Sequence, residues 1–250
     1  MEIANAYELT KEQLAAITDY TFLKTEEEFG SLAMHEWEFT KFLINGLEYQ
    51  PYAVCVRPDD VQKTAEYLKG KKIKIASVIG FPYPDDYTTE VKVHNTIITC
   101  VMGADEIDMV MDYNKLKSGD YEYVKEDIRQ VVEAAHSYDA ILKLILEVSE
   151  LSHEQIKEAS EIAWKAGVDF IKTSTGYTDS GATVEAVNAI REVYSGPIKV
   201  SDNITPENIG ELLEAVYQSK SVYIDPNFVR IGSSSLLDKL FLKNDSIEGY

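Results

Sequence analysis

AILKLILEVS, residues 140–149, decides the fold. Side chains alternate across a β-strand, so Leu142, Leu144 and Leu146 share one face and Lys143, Ile145 and Glu147 share the other. In a closed barrel the outward face packs on helices and is aliphatic, while ionisable groups on the other face converge inside. Three more runs split the same way. In EIDMVMD (106–112), Ile107, Met109 and Met111 point out and Asp108 points in. In DFIKTST (169–175), Ile171 and Thr173 face one way and Lys172 and Ser174 the other. In GPIKVSD (196–202), Ile198 and Val200 face out, with Lys199 and Ser201 facing in.

Working outward, four further β-rich runs complete the set: AITDYTF (16–22), YAVCVRP (52–58), IKIASVIGF (73–81) and NFVRIGSS (227–234). The segments between them, such as 121–136, 153–166 and 206–218, carry apolar residues at helical spacing among acids and lysines. Strand–helix alternation repeated eight times predicts an α/β fold, a (β/α)8 TIM barrel. A chain of 250 residues is the usual size for one such unit. No Pro-, Gly- or Ser-rich linker divides it, so a single domain over residues 1–250 is expected, with a short polar tail ending in Tyr250. SVYIDP (221–226) also reads as a strand and leaves the seventh-to-eighth connection open.

Composition narrows the function. Asp plus Glu is 43 against 24 Lys plus Arg, a formal charge of −19. Such a surface repels phosphate backbones and anionic headgroups, which argues against nucleic-acid and membrane-surface partners. An anionic substrate then needs a local site that works against the global field. The start, MEIANAYELT, lacks a basic region followed by an apolar run, and no window approaches a membrane span. Two cysteines, Cys55 and Cys100, suit a reducing cytoplasm. The four histidines are scattered without metal-site spacing, so no metal is expected.

Lys143, Lys172, Lys199 and Asp108 are expected to meet near the carboxyl-terminal mouth of the barrel. A lone lysine near a strand end usually snorkels to solvent. Three inward lysines on separate strands, with an aspartate, are costly to bury and so point to function. A second ammonium roughly 6 Å away, at an effective dielectric of about 20, disfavours a charged lysine by about 2.8 kcal/mol. The neutral amine then attacks a carbonyl to form a Schiff base, an electron sink for carbon–carbon cleavage without a metal. Asp108 is placed to move protons through a water as general acid/base.

These residues carry a resemblance. TDYTFLK (18–24), AVCV (53–56), VIGFP (78–82), GADEIDMV (103–110), LKLILE (142–147), IKTSTGY (171–177), IKVSDNI (198–204) and RIGSSSLL (230–237) resemble the deoxyribose-phosphate aldolases over nearly the whole chain. That family is a class I aldolase on a TIM barrel. The resemblance implies reversible cleavage of 2-deoxyribose 5-phosphate to acetaldehyde and glyceraldehyde 3-phosphate, in deoxyribonucleotide catabolism, with no cofactor. It puts the Schiff base on Lys172, the second lysine at Lys199 and the relay aspartate at Asp108. Lys143 matches a lysine near the relay, Cys55 a pocket-lining cysteine, and Asp19 an acid on the first strand. Thr173, Gly176 and Tyr177 fall in the substrate loop, Gly232, Ser234 and Ser235 in half of a phosphate cradle. Tyr250 matches a C-terminal tyrosine that assists proton transfer in some members.

The sequence also departs from the family. Asp202 and Asn203 stand where Gly-Gly is typical, Tyr177 replaces a lysine found in some members, and YPDDYTTE (83–90) differs from the usual glycine-containing loop. Two readings of Asp202 stay open. It faces solvent or caps the helix expected from about Pro206, leaving its N–H for phosphate. Alternatively it excludes phosphate and favours a neutral or polyhydroxylated aldehyde. A catalytically silent, metabolite-binding barrel is a third reading, which the intact lysine set argues against. A homodimer is the default assembly.

Overall fold

The computed structural model describes residues 2–242. Its strands are β1 (Ile3–Asn5), β2 (Thr18–Phe22), β3 (Ala53–Val56), β4 (Lys74–Ile79) and β5 (Glu106–Val110), followed by β6 (Ile141–Ile145), β7 (Phe170–Lys172), β8 (Ile198–Ser201), β9 (Ser221–Tyr223) and β10 (Val229–Ser233). Eight of them close a parallel barrel in the order β10-β2-β3-β4-β5-β6-β7-β8. Each lies inside one of the eight runs read from the sequence. SVYIDP does hold a strand, but β9 pairs antiparallel with β1 outside the barrel, matching Ile3 with Tyr223. β1 carried no sequence signal, because a three-residue strand is too short to show alternation.

Helices fill every crossover. Tyr121–His136 buries Val124, Ile128, Val131, Val132 and Ala135, a stripe at helical spacing. His153–Ala166 starts with a capping box between Ser152 and Gln155 and ends at Gly167, whose φ of 86° suits a residue without Cβ. The expected helix at 206–218 begins later, at Ile209, and runs to Tyr217. Thr205 and Asn208 satisfy one another's backbone N–H first, so residues 205–208 form a turn.

The strand faces follow the alternation. Leu142, Leu144, Leu146, Ile107, Met109, Met111, Ile198 and Val200 are all fully buried against the helical layer. Register then stacks the inward polar residues side by side. Asp108 pairs with Lys143, Lys172 with Lys199, Lys199 with Arg230, and Gly232 with Asp19 across successive strand pairs. Parallel strands of a barrel leave no edge, so these charges lie inside the ring rather than along a rim. Outside the ring, Lys92 and Asp127 form a separate buried pair at 2.7 Å between two crossover helices.

Candidate active site

Seven charged side chains form one network inside the barrel. Asp108 is the hub: its Oδ2 accepts from Lys172 Nζ at 2.8 Å and Lys199 Nζ at 2.7 Å, and its Oδ1 from Lys143 Nζ at 2.8 Å. Lys199 also reaches Asp19 Oδ2 at 2.5 Å. Lys143 lies 2.5 Å from Glu106 and 3.5 Å from Asp19. Arg230 closes the ring, with Asp19 at 2.5 Å and Glu106 at 2.8 Å. Its guanidinium lies 3.8 Å above the Tyr52 ring centroid. Glu106 and Arg230 were missed by the sequence reading. Both signals were present, since Glu106 shares a face with Asp108 and Arg230 alternates with the outward Val229 and Ile231.

The electrostatics are set by these contacts. Burial pushes the Asp108 carboxyl up, but Lys143, Lys172 and Lys199 together outweigh it and hold the group well below the usual range. Burial likewise opposes ionisation of Asp19, yet Lys199, Arg230 and Lys143 leave its pKa lowered. For Lys143 and Lys199 burial favours the neutral amine, and the surrounding carboxylates reverse that and raise both. Lys172 and Lys199 therefore do not face each other directly: Asp108 lies between them. Lys172 and Lys199 share one carboxylate oxygen, and Asp108 stays ionised. The amine contacts to Asp108 are direct.

Formally four cations (Lys143, Lys172, Lys199, Arg230) face three carboxylates (Asp19, Glu106, Asp108), an excess of one positive charge. Lys143 has three carboxylate partners, while Lys199 and Arg230 have two each. Lys172 has one. It is also the network member that borders a cavity of about 920 Å³ at the barrel mouth. Only 3% of its surface is exposed, so the amine meets that cavity end-on.

The other expected site residues divide into two groups. Gly176, Tyr177, Asp202, Asn203, Gly232, Ser234 and Ser235 line the same cavity as Lys172. Asp19 and Lys143 belong to the network beneath it, fully buried. Cys55 does not line the cavity: it is fully buried, its Sγ 3.9 Å from Asp108, and burial pushes the thiol up to about 11. Thr173 is also inaccessible, since its hydroxyl accepts from Ser201 N–H at 3.0 Å and staples β7 to β8. Tyr250 lies outside the described residues.

Three details of the loops matter. A Cβ on Gly232 would sit 2.8 Å from Lys199 Cε, so this glycine makes room for the lysine stem. Glu147 accepts from the N–H of Thr175 at 3.2 Å and also from its hydroxyl, tying the loop after Lys172 to β6. Asp202 does not cap the following helix, whose first turn is preceded by the Thr205–Asn208 pair.

Comparison with known proteins agrees with this geometry. Residues 37–232 match the model of the DeoC/LacD family aldolases. The chain belongs to that family. It is 46% identical over 188 residues to a deoxyribose-phosphate aldolase of Aciduliprofundum boonei, covering 75% of this chain and 81% of that one. A deoxyribose-phosphate aldolase of Clostridium perfringens is 42% identical over 189 residues, 76% of this chain and 80% of its own. The tetrameric deoxyribose phosphate aldolase of Aeropyrum pernix superposes with a TM-score of 0.76 at 24% identity, over 95% and 93% of the two chains, which shows the shared fold. Among the described residues, no helix is long and apolar enough to cross a membrane.

Removing one member of a buried ionic network leaves its partners uncompensated. Asp19→Asn is expected to cost about 3–5 kcal/mol, measured by urea denaturation. Because the folded pKa of Asp19 is lowered, its contribution is complete above the unfolded value of about 3.9 and fades as pH falls through the folded one. The stability gap between wild type and Asp19→Asn should thus be constant from about pH 5 to 8 and narrow below about pH 4.

Proposed function

We propose that this chain is a class I aldolase that reversibly cleaves 2-deoxyribose 5-phosphate into acetaldehyde and glyceraldehyde 3-phosphate through a Schiff base on Lys172. One observation carries the reading: Lys172 alone in the ionic network borders the cavity, and a single carboxylate oxygen holds it. The excess positive charge of the network is relieved when one lysine is neutral. The amine with the fewest carboxylate partners is also the one substrate can reach.

The chemistry then runs as follows. The neutral Nζ adds to the C1 aldehyde of the open-chain sugar, and loss of water gives the iminium. The iminium draws electrons from C2. Transfer of the C3 hydroxyl proton through a water to Asp108, the proposed base, breaks the C2–C3 bond, whose electron pair moves to C2 as an enamine. The C3–C5 fragment leaves as glyceraldehyde 3-phosphate. Protonation at C2 and hydrolysis release acetaldehyde and restore Lys172. Throughout, Asp108 Oδ2 accepts from both amines, at 2.8 and 2.7 Å, which sets the proposed relay carboxylate against Lys172 and Lys199. The negative charge of Asp108 also stabilises the iminium.

The backbone around Gly232, Ser234 and Ser235 is the proposed holder of the phosphate, beside the Gly176–Tyr177 loop. Tyr250 is the proposed proton donor at C2. Leu242, the last described residue, lines the cavity. The chain is proposed to work as one domain, in the cytoplasm, on small-molecule substrates and as a homodimer. Its two cysteines are both free thiols, in keeping with a reducing compartment.

Borohydride reduction in the presence of acetaldehyde should add one ethyl group to Lys172, read by peptide mass spectrometry. Lys172→Ala should lose at least about a thousandfold in kcat/KM. An unlabelled Lys172, or a variant that keeps a few per cent of activity, would sink the assignment.

Lys199→Met tests the charge argument. Without that ammonium the network has three cations for three carboxylates, and a protonated Lys172 is balanced. Activity is expected to fall, with the rising limb of the pH–rate profile moved to higher pH. A profile of unchanged shape contradicts the charge count.

A further inference from the structure

The loop after β8 opens with two consecutive left-handed residues, Asp202 at φ 66° and Asn203 at φ 55°. Aspartate and asparagine are the side chains that best tolerate a conformation otherwise left to glycine. The turn is therefore kept while a carboxylate is added to the cavity wall. That carboxylate does not swing away into solvent. It lies against Gly176 of the facing loop, where a Cβ would meet Asp202 Oδ1 at 3.3 Å. The backbone of Asp202 is occupied as well: its N–H donates to the Gly232 carbonyl at 3.4 Å, and its own carbonyl accepts from Ala182 at 3.3 Å. So the N–H expected for a phosphate is already engaged, and what this residue presents to the cavity is its carboxylate.

The surrounding charge does not neutralise it. Among the described residues Asp202 has no ion pair, and Lys41 of the same cavity already faces Glu38 at 3.7 Å. Four lysines and four carboxylates among the described residues line the cavity, and these offer no cationic excess to a dianion. Arg57, near the mouth, is turned to other work. Its Nε donates to the Leu23 carbonyl at 2.6 Å, and its guanidinium stacks over Phe81 and Tyr177. Tyr177 adds only a neutral hydroxyl, itself donated to Leu23 O at 3.0 Å.

We propose that Asp202 makes the acceptor end of the cavity a hydroxyl-recognising subsite, so that unphosphorylated 2-deoxy sugars are substrates alongside the phosphate ester. The inference rests on the Schiff-base reading of Lys172. The carboxylate accepts a hydrogen bond from the terminal hydroxyl of the acceptor aldehyde, a charge-assisted contact. The same charge repels a phosphate group, which lowers the gain in binding that phosphorylation otherwise brings.

The test is kcat/KM for cleavage of 2-deoxyribose 5-phosphate and of 2-deoxyribose, in wild type, Asp202→Asn and Asp202→Gly. The wild-type preference for the ester is expected to stay below about a hundredfold. Either substitution should raise that preference at least about tenfold, mainly through a lower KM for the ester. Asparagine keeps the shape and the left-handed backbone, so it isolates the charge; glycine removes the side chain while relaxing the turn. A wild-type preference above about a hundredfold, or a ratio that neither substitution moves, overturns the proposal and leaves the aldolase reading standing. Failure to cleave either sugar, with Lys172 unlabelled by acetaldehyde and borohydride, overturns both.

Discussion

The carboxylate of Asp108 accepts hydrogen bonds from three lysine side chains within 2.8 Å, in a place bulk water does not reach. No open sheet assembles this arrangement. Asp108, Lys143, Lys172 and Lys199 come from four consecutive barrel strands, and the ring must close before Arg230 and Asp19 can balance them from the other side. Closure and charge thus depend on one another. The strands bring the charges together, and the charges tie together strands that register alone would leave free to slip. Burying so many ions is a weak route to stability, because the desolvation cost is large. The network makes physical sense as a device for holding one particular amine. Its formal excess of one positive charge is the feature that a stabilising network would lack, and Lys172 is the member with the fewest partners.

Much of this was legible in the sequence, for a definite reason. A barrel strand has two buried faces of different chemistry, so an inward lysine between outward leucines is visible as alternation in AILKLILEVS and GPIKVSD. The same rule, applied to residues 106 and 230, yields Glu106 and Arg230. The sequence could not show how the lysines are compensated. Two ammoniums facing each other and two ammoniums sharing a carboxylate oxygen have the same pattern of residues. They have different electrostatics, and only three-dimensional pairing separates them. Cys55 and Thr173 show a related limit. Both fall in motifs that border a site, yet one lies beneath the hub and the other is used up in a strand-to-strand hydrogen bond.

The late start of the helix at Ile209 has a local cause with a functional consequence. Thr205 and Asn208 form a reciprocal pair, which leaves residues 202–205 as a loop on the cavity wall. Had the helix begun near Pro206, Asp202 would have been close enough to serve as its cap, and its carboxylate would have been spent on backbone N–H groups. The turn releases that side chain. The helix starts at Ile209 with no side-chain cap, and the Asp202 carboxylate is left on the cavity wall.

On the proposed reading the cavity has two ends under different physical control, a donor end and an acceptor end. The donor end is the floor, where Lys172 is locked by strands, register and a buried ionic ring; almost any change there disturbs several charges at once. The acceptor end is built from loops after β7, β8 and β10, where a substitution costs only what its backbone conformation demands. Asp202 and Asn203 meet that demand, because both tolerate the left-handed region. Changes in acceptor recognition are for this reason nearly free of stability cost, whereas changes in bond-making chemistry are not. A carboxylate can appear at the acceptor end while the Lys172–Asp108–Lys199 arrangement stays intact, and the reaction type and the substrate it acts on can vary independently in one small barrel.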